Sequence, residues 1–204
     1  MAGELSGKKV AVLATDGVEQ VELDRPWQAL EEAGAEPELV SFESGTIQAF
    51  EHIDKGDTKK VDATLGDADP DDYAALVLPG GVVNGDFVRA DADAVAFVKS
   101  FFDAGKPVAA ICHAPWVLVE ADVVKGRRMT SWPSLQTDLR NAGADWVDDE
   151  LVVDGNLITS RKPDDLDAFC AKVVEEIAEG RHDPSGAGSG ADALSRQGAP
   201  AGQA

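Results

Sequence analysis

Lys106-Pro107-Val108-Ala109-Ala110-Ile111-Cys112-His113-Ala114-Pro115-Trp116-Val117-Leu118 is the stretch on which the fold turns. Its first part, residues 108–111, is a short apolar run of strand type. Pro115 then opens a helical pattern, which leaves Cys112 and His113 on the sharp turn between the two. Proline suits a first helical turn, where its missing N–H loses no intrahelical bond. A thiol so placed is a nucleophile elbow. Unpaired backbone N–H groups and the positive end of a helix dipole are expected to favour its thiolate. The other reading of Cys112 is a buried structural cysteine, because free cysteine is among the most buried residue types.

Outward from the elbow the chain alternates strand and helix. Residues 10–14 read as a buried strand, and residues 21–33 follow as a helix with Leu23, Trp27 and Leu30 at helical spacing, stopped by Gly34. The loop between them, residues 15–20, carries Glu19. In open α/β sheets such loops lie at the carboxyl ends of strands, where ligands bind. Residues 39–42 form a second strand, and residues 45–65 have the mixed polar pattern of a hairpin or short strand pair. A helical turn at residues 69–73 leads into the strand 75–78, which ends at Pro79-Gly80-Gly81. Paired glycines allow close backbone approach, so Gly80 and Gly81 can aim N–H groups at an oxyanion; a plain strand-ending turn is the alternative. Residues 91–104 carry Val95, Val98, Phe101 and Phe102 at helical spacing before Gly105. Beyond the elbow come a short strand at 129–132, a helix at 134–142, a hairpin around Asp154-Gly155, and a last amphipathic helix at 166–177 that takes Cys170 into the core. The globular unit therefore spans residues 8–179, after an N-terminal extension of residues 1–7. Residues 180–204, rich in Gly, Ala, Ser and Pro, read as a disordered tail containing a solvated His182.

A chain of 204 residues, 44% hydrophobic and 27% charged, fits one well-buried domain. The formal net charge of -20, with 38 acidic residues against 18 Lys and Arg, argues against nucleic-acid binding. Short acidic residues spread along the chain suit either a high-salt cytoplasm or an ordinary acidic soluble protein. Two cysteines make no disulfide framework, the N-terminus has no apolar signal core, and no apolar run reaches membrane-spanning length, so a cytoplasmic protein is expected. With only His52, His113 and His182 beside those cysteines, no metal-ligand spacing is present. Gly80-Gly81 has no spaced third glycine, so no dinucleotide cofactor is expected.

Four motifs taken together, residues 16–23 (DGVEQVEL), 78–81 (LPGG), 110–115 (AICHAP) and 159–166 (TSRKPDDL), resemble the ThiJ/PfpI family. The likeness runs in order from Lys8 to about Glu179 and is nearest to the PfpI-type intracellular proteases and stress-protein deglycases. It implies a flavodoxin-like three-layer α/β sandwich with a mainly parallel central sheet and a cysteine nucleophile elbow. Carried over position by position, it makes Cys112 the nucleophile and Glu19 the acid that approaches the thiol. Desolvated beside a thiolate, such an acid tends to keep its proton and can donate it in a hydrogen bond to sulfur. Gly81 and His113 match the backbone donors of the oxyanion site. Asp86 matches an acid that pairs with the elbow histidine of a neighbouring subunit, which implies a homo-oligomer, a dimer or a hexamer.

The resemblance leaves several functions in competition. One is hydrolysis of glycated amino acids or small reactive aldehydes, and a second is peptide hydrolysis by Cys112, His113 and a neighbour's Asp86. A third, of a different class, is a non-enzymatic chaperone or oxidant sensor in which Cys112 is oxidised. Glutamine amide transfer is disfavoured, because Ala110 and Ala114 flank Cys112 and no histidine lies between His113 and His182.

Overall fold

The apolar runs become the middle strands of a sheet. In the computed structural model, which describes residues 3–180, β1 (Lys9–Leu13) leads through a two-residue strand, β2 (Val18–Glu19), into α1 (Gln20–Glu32) and back into β3 (Glu36–Ser41). Next come β4 (Thr46–Glu51), β5 (Asp54–Lys60), β6 (Ala63–Thr64) and β7 (Ala75–Leu78), then α2 (Val82–Ala90) and α3 (Ala92–Asp103). The elbow unit is β8 (Val108–Ile111) and α4 (Pro115–Glu120). It is followed by β9 (Arg128–Met129), α5 (Gln136–Asn141), β10 (Asp145–Trp146), β11 (Leu151–Asp154), β12 (Leu157–Ser160) and α6 (Leu166–Glu179). Residues 181–204, which hold nearly all of the segment read as a disordered tail and its His182, lie outside the described residues.

Seven strands form the main sheet in the order β11-β12-β8-β7-β1-β3-β6, parallel throughout except for the β11–β12 hairpin. Alternate residues of each central strand go to opposite faces. Ala11, Leu13, Leu76, Leu78 and Ala110 pack with Phe97, Phe101 and Leu118 of α3 and α4. Val10, Val12, Val77, Ala109 and Ile111 pack with Leu23 and Leu30 of α1 and Phe169 and Val173 of α6. Both faces are thus covered by helices, which is why the central strands read as continuous apolar runs. Each fully buried Leu or Phe contributes about 1.5–3 kcal/mol of transfer free energy. The result is the expected three-layer α/β sandwich.

One segment settles between the two readings the sequence allowed, and two differ from the sequence reading. Residues 45–65 resolve into an antiparallel β4–β5 hairpin that joins β2 in a separate three-stranded sheet, while β6 adds to the main sheet's edge. The Gly80-Gly81 loop runs directly into α2, a helix the sequence reading lacks. Its inward positions are Asn84, Gly85 and Val88, whereas Val82, Val83 and Phe87 are exposed, so the usual apolar periodicity is inverted. Leu5, assigned to an N-terminal extension, is fully buried, and its N–H donates to the Ala33 carbonyl at 2.9 Å. Leu5 therefore belongs to the core. No helix among the described residues is long and apolar enough to cross a membrane.

Candidate active site

Chain order in the sheet reverses between β1 and β7, and the loops at the carboxyl ends of β1, β7 and β8 converge beside that point. The elbow is the sharpest of them. Cys112 has φ +62°, a left-handed conformation that a non-glycine residue holds only when its surroundings fix it. Two bonds do so: its N–H donates to the Ser160 carbonyl at 3.1 Å, and its carbonyl accepts from the Trp132 N–H at 2.8 Å. The sulfur lies 3.1 Å from His113 Nδ1. The His113 ring is stacked against Trp132, with centroids 5.7 Å apart, and tilted against Trp116.

The acid against the sulfur is Glu22, not Glu19. Glu22 is fully buried, and its carboxyl faces the Cys112 thiol and the Gly80 backbone N–H, though neither oxygen meets a donor in full hydrogen-bond geometry. Burial pushes its pKa up to about 8, the thiol and the Gly80 N–H pull it back in part, and the nearby Glu19 charge raises it further. Glu19 points elsewhere because it is still in strand: β2 pairs with β4, Glu19 opposite Phe50. Its carboxylate accepts from the His52 N–H at 3.1 Å, at the tip of the hairpin. Three residues on, the first turn of α1 carries Glu22 back against the main sheet. The sequence signal for Glu22 was an acid in a first helical turn whose neighbour Leu23 faces the core.

Cys112 also departs from the expectation of a lowered pKa. Burial raises it first, then the Glu22 charge, while the backbone N–H groups of Gly81 and His113 lower it, and the balance lies well above the ordinary thiol range. The helix behind the elbow has only six residues, so its dipole is slight. Glu22 and Cys112 are therefore one coupled pair that holds protons at neutral pH. When Glu22 keeps its proton, the Coulomb penalty on a thiolate disappears and the two N–H groups remain to stabilise it. Burial lowers the His113 pKa to about 4, so that ring is neutral.

Of the two glycines assigned to an oxyanion site, Gly81 presents its N–H to the sulfur together with His113, while Gly80 turns its N–H to Glu22. A Cβ on Gly80 would collide with Glu22 and Cys112, and Gly81 holds φ +95° as the cap of α2. Asn84, which the sequence reading passed over, locks this loop. Buried in α2, it donates to the Pro79 and Gly80 carbonyls, both at 3.0 Å, and accepts from the Thr15 N–H at 2.8 Å. Asp86 is exposed on the outer side of α2, immediately after Gly85, which packs against His113. Among the described residues, the Cys112 sulfur is the group that meets the His113 ring in hydrogen-bond geometry, and Asp86 of the same chain does not reach it.

Cys112, His113, Glu22 and Glu19 open into a cleft of about 300 Å³, walled by Phe50, Ile53, Val82, Val83 and Trp132. A larger groove of about 500 Å³ at the ends of β1 and β3 holds no nucleophile of this kind. A thiol beside a neutral imidazole, a proton-holding carboxyl and two converging N–H groups is equipped to add to a carbonyl carbon and stabilise the oxyanion formed.

The chain is 45% identical over 167 residues to Deglycase TK1284 of Thermococcus kodakarensis, covering 82% of this chain and 98% of that protein. It is 44% identical over 162 residues to the Putative cysteine protease YraA of Bacillus subtilis, covering 79% and 94%. The crystal structure of Drosophila melanogaster DJ-1beta superposes with a TM-score of 0.77 at 31% identity, over 85% of this chain and 91% of that one. Residues 8–176 match the DJ-1/PfpI family, and the chain belongs to it.

Proposed function

We propose that the protein is a cysteine-dependent deglycase of reactive-aldehyde adducts. The observation that carries this reading is the pairing of Cys112 with the buried, proton-holding Glu22 at the floor of a small cleft. Relatives named as deglycases support the same class. For a hemiaminal formed from an amine and a dicarbonyl, the sulfur attacks the hemiaminal carbon. The S–C bond forms, the C–N bond breaks, and the amine leaves with the proton that the thiol gives up. Glu22 gives its proton to the neighbouring carbonyl oxygen as it takes one from the thiohemiacetal carbon, and the enediol so formed then loses the proton of the hydroxyl on the sulfur-bearing carbon and gains one on the next carbon, giving a hydroxyacyl thioester. The developing oxyanion is held by the Gly81 and His113 N–H groups. Water finally hydrolyses the thioester, releasing a hydroxy acid and restoring the thiol. Every step is redox-neutral overall, so no cofactor is needed. The experiment is turnover of methylglyoxal-treated N-acetyl-lysine, followed as free amine and hydroxy acid. Wild type is expected to release both, and Cys112→Ser to lose roughly a thousandfold or more. Equal release by the variant overturns the reading.

A second reading is peptide hydrolysis in an oligomer, favoured by one observation. Asp86 stands on an exposed face of α2 beside Val82, Val83 and Phe87, the last 49% exposed. A second copy seated there would bring its own Asp86 towards His113 and complete a triad. Peptidase activity that survives dilution to the monomer, or Asp86→Asn, removes this reading.

A further inference from the structure

We propose that the Glu19 carboxylate makes the Cys112 cleft selective for positively charged substrates and against negatively charged ones. This deepens the function proposed above and rests on Cys112 being the reactive group of this cleft.

The argument begins with what lines the space. Glu19 is partly exposed and on the wall, and its carboxylate is held in one place by the His52 N–H, with contacts of 3.1 and 3.4 Å to its two oxygens. A carboxylate has further lone pairs beyond those that accept this bond, and they remain for a ligand. The rest of the wall is Phe50, Ile53, Val82, Val83, Trp132 and Pro163, with no Lys or Arg among the lining residues. Apolar walls displace water and lower the local dielectric, so a charge there acts more strongly than on an open surface. The other polar groups do not oppose it. Glu22 is kept neutral by burial, as is His113. His52, exposed at the tip of the hairpin, lines the cleft as well.

Selectivity follows from this placement. An adduct that carries an ammonium or guanidinium close to its reacting carbon, as on a lysine- or arginine-containing peptide, gains a direct pairing with Glu19. A carbonyl compound bearing a carboxylate or phosphate meets repulsion and finds no cation to replace its water.

Thiol labelling reads this independently of any turnover. Three methanethiosulfonates are compared on the full-length protein: cationic trimethylammonioethyl, neutral methyl and anionic sulfonatoethyl. In each the Cys112 sulfur attacks the sulfenyl sulfur, a disulfide forms, and methanesulfinate leaves. The fraction of thiolate is common to all three and cancels in the ratios once each is divided by its rate with a free thiol. The cation-to-anion ratio is expected to exceed about tenfold at about 1 M salt, where a Debye length of about 3 Å screens the general surface charge. Glu19→Gln, whose amide oxygen can still accept the His52 N–H, should bring the ratio close to one. Glu36→Gln, an exposed acid at the opposite end of the sheet, should leave it unchanged. A wild-type ratio near one, or a ratio that Glu19→Gln does not lower, overturns the inference. Labelling selectivity without deglycation by wild type would defeat the proposed function and leave this inference standing. Deglycation without labelling selectivity would do the reverse.

Discussion

Cys112 and Cys170 are buried almost equally, 6% and 7% exposed, yet the chain around them is built to different ends. Cys170 lies within the regular α6, among Leu166, Phe169 and Val173, and burial pushes its thiol up to about 11, with Arg25 pulling it back and Asp167 adding to the rise. Cys112 sits on a left-handed turn with an imidazole at 3.1 Å, a buried acid against it and two N–H groups converging on the sulfur. Exposure therefore says nothing about which thiol is reactive. What separates them is the density of polar groups that can move or hold a proton.

The largest effect that tests this contrast is in turnover. Cys112→Ser should abolish deglycation by about a thousandfold or more, whereas Cys170→Ser should stay within about twofold. Comparable losses in both, measured on folded protein, would erase the distinction. Next in size, Glu22→Gln should lower turnover by roughly a hundredfold, in the range of lost general acid–base catalysis.

The same variant should change the pH profile of stability. The ordinary Glu value is 4.5 and the folded one is about 8, so between these the unfolded chain has released a proton that the folded chain still holds. Stability must then fall as pH rises through that window and level off above it, at about 1.4 kcal/mol per pH unit. His113, lowered from 6.5 to about 4, acts with the opposite sign, its contribution being lost as pH falls through that range. The two oppose each other below about 6.5, and Glu22 is read cleanly between about 6.5 and 8. Denaturant midpoints in that interval should decline for wild type and lie flat for Glu22→Gln; parallel slopes would remove Glu22 from the buried pair.

Smaller still is a packing effect. Gly80→Ala places a methyl against Glu22 and Cys112, and should cost about 1–3 kcal/mol, as overpacking does. Cys170→Ala removes only a sulfur that borders a surface groove with Arg25, Gln28 and Glu32, and should cost about 1 kcal/mol or less. Equal melting shifts would show that the Gly80 loop can relax.

Much of this architecture was legible before any coordinates. The strand at Val108–Ile111, the helix from Pro115 and the thiol between them follow from apolar run and proline placement, and the β7 strand matches its reading residue for residue. What stayed hidden was hidden for physical reasons. α2 turns Val82, Val83 and Phe87 outward and buries only Val88 among its large apolar residues, so a search for a buried stripe passes it by. Glu19 and Glu22 are three residues apart in one acidic motif, and only the change from strand to helix between them decides which enters the core. The thiol's rise reverses the expected dipole effect because burial outweighs a helix of six residues. Leu5 is a single anchor, and one apolar residue makes no periodicity.

The β4–β5 hairpin belongs to a small sheet of its own, touching the elbow region through β2 and the Glu19–His52 bond. Its tip, with Ile53 89% exposed, lines the cleft without sharing a hydrogen-bond ladder with β7 or β8. Evolution can therefore lengthen, shorten or recolour that tip while the strands that aim Cys112 are left alone. The protein carries an interchangeable wall on a fixed engine, and divergence in substrate range should accumulate there first.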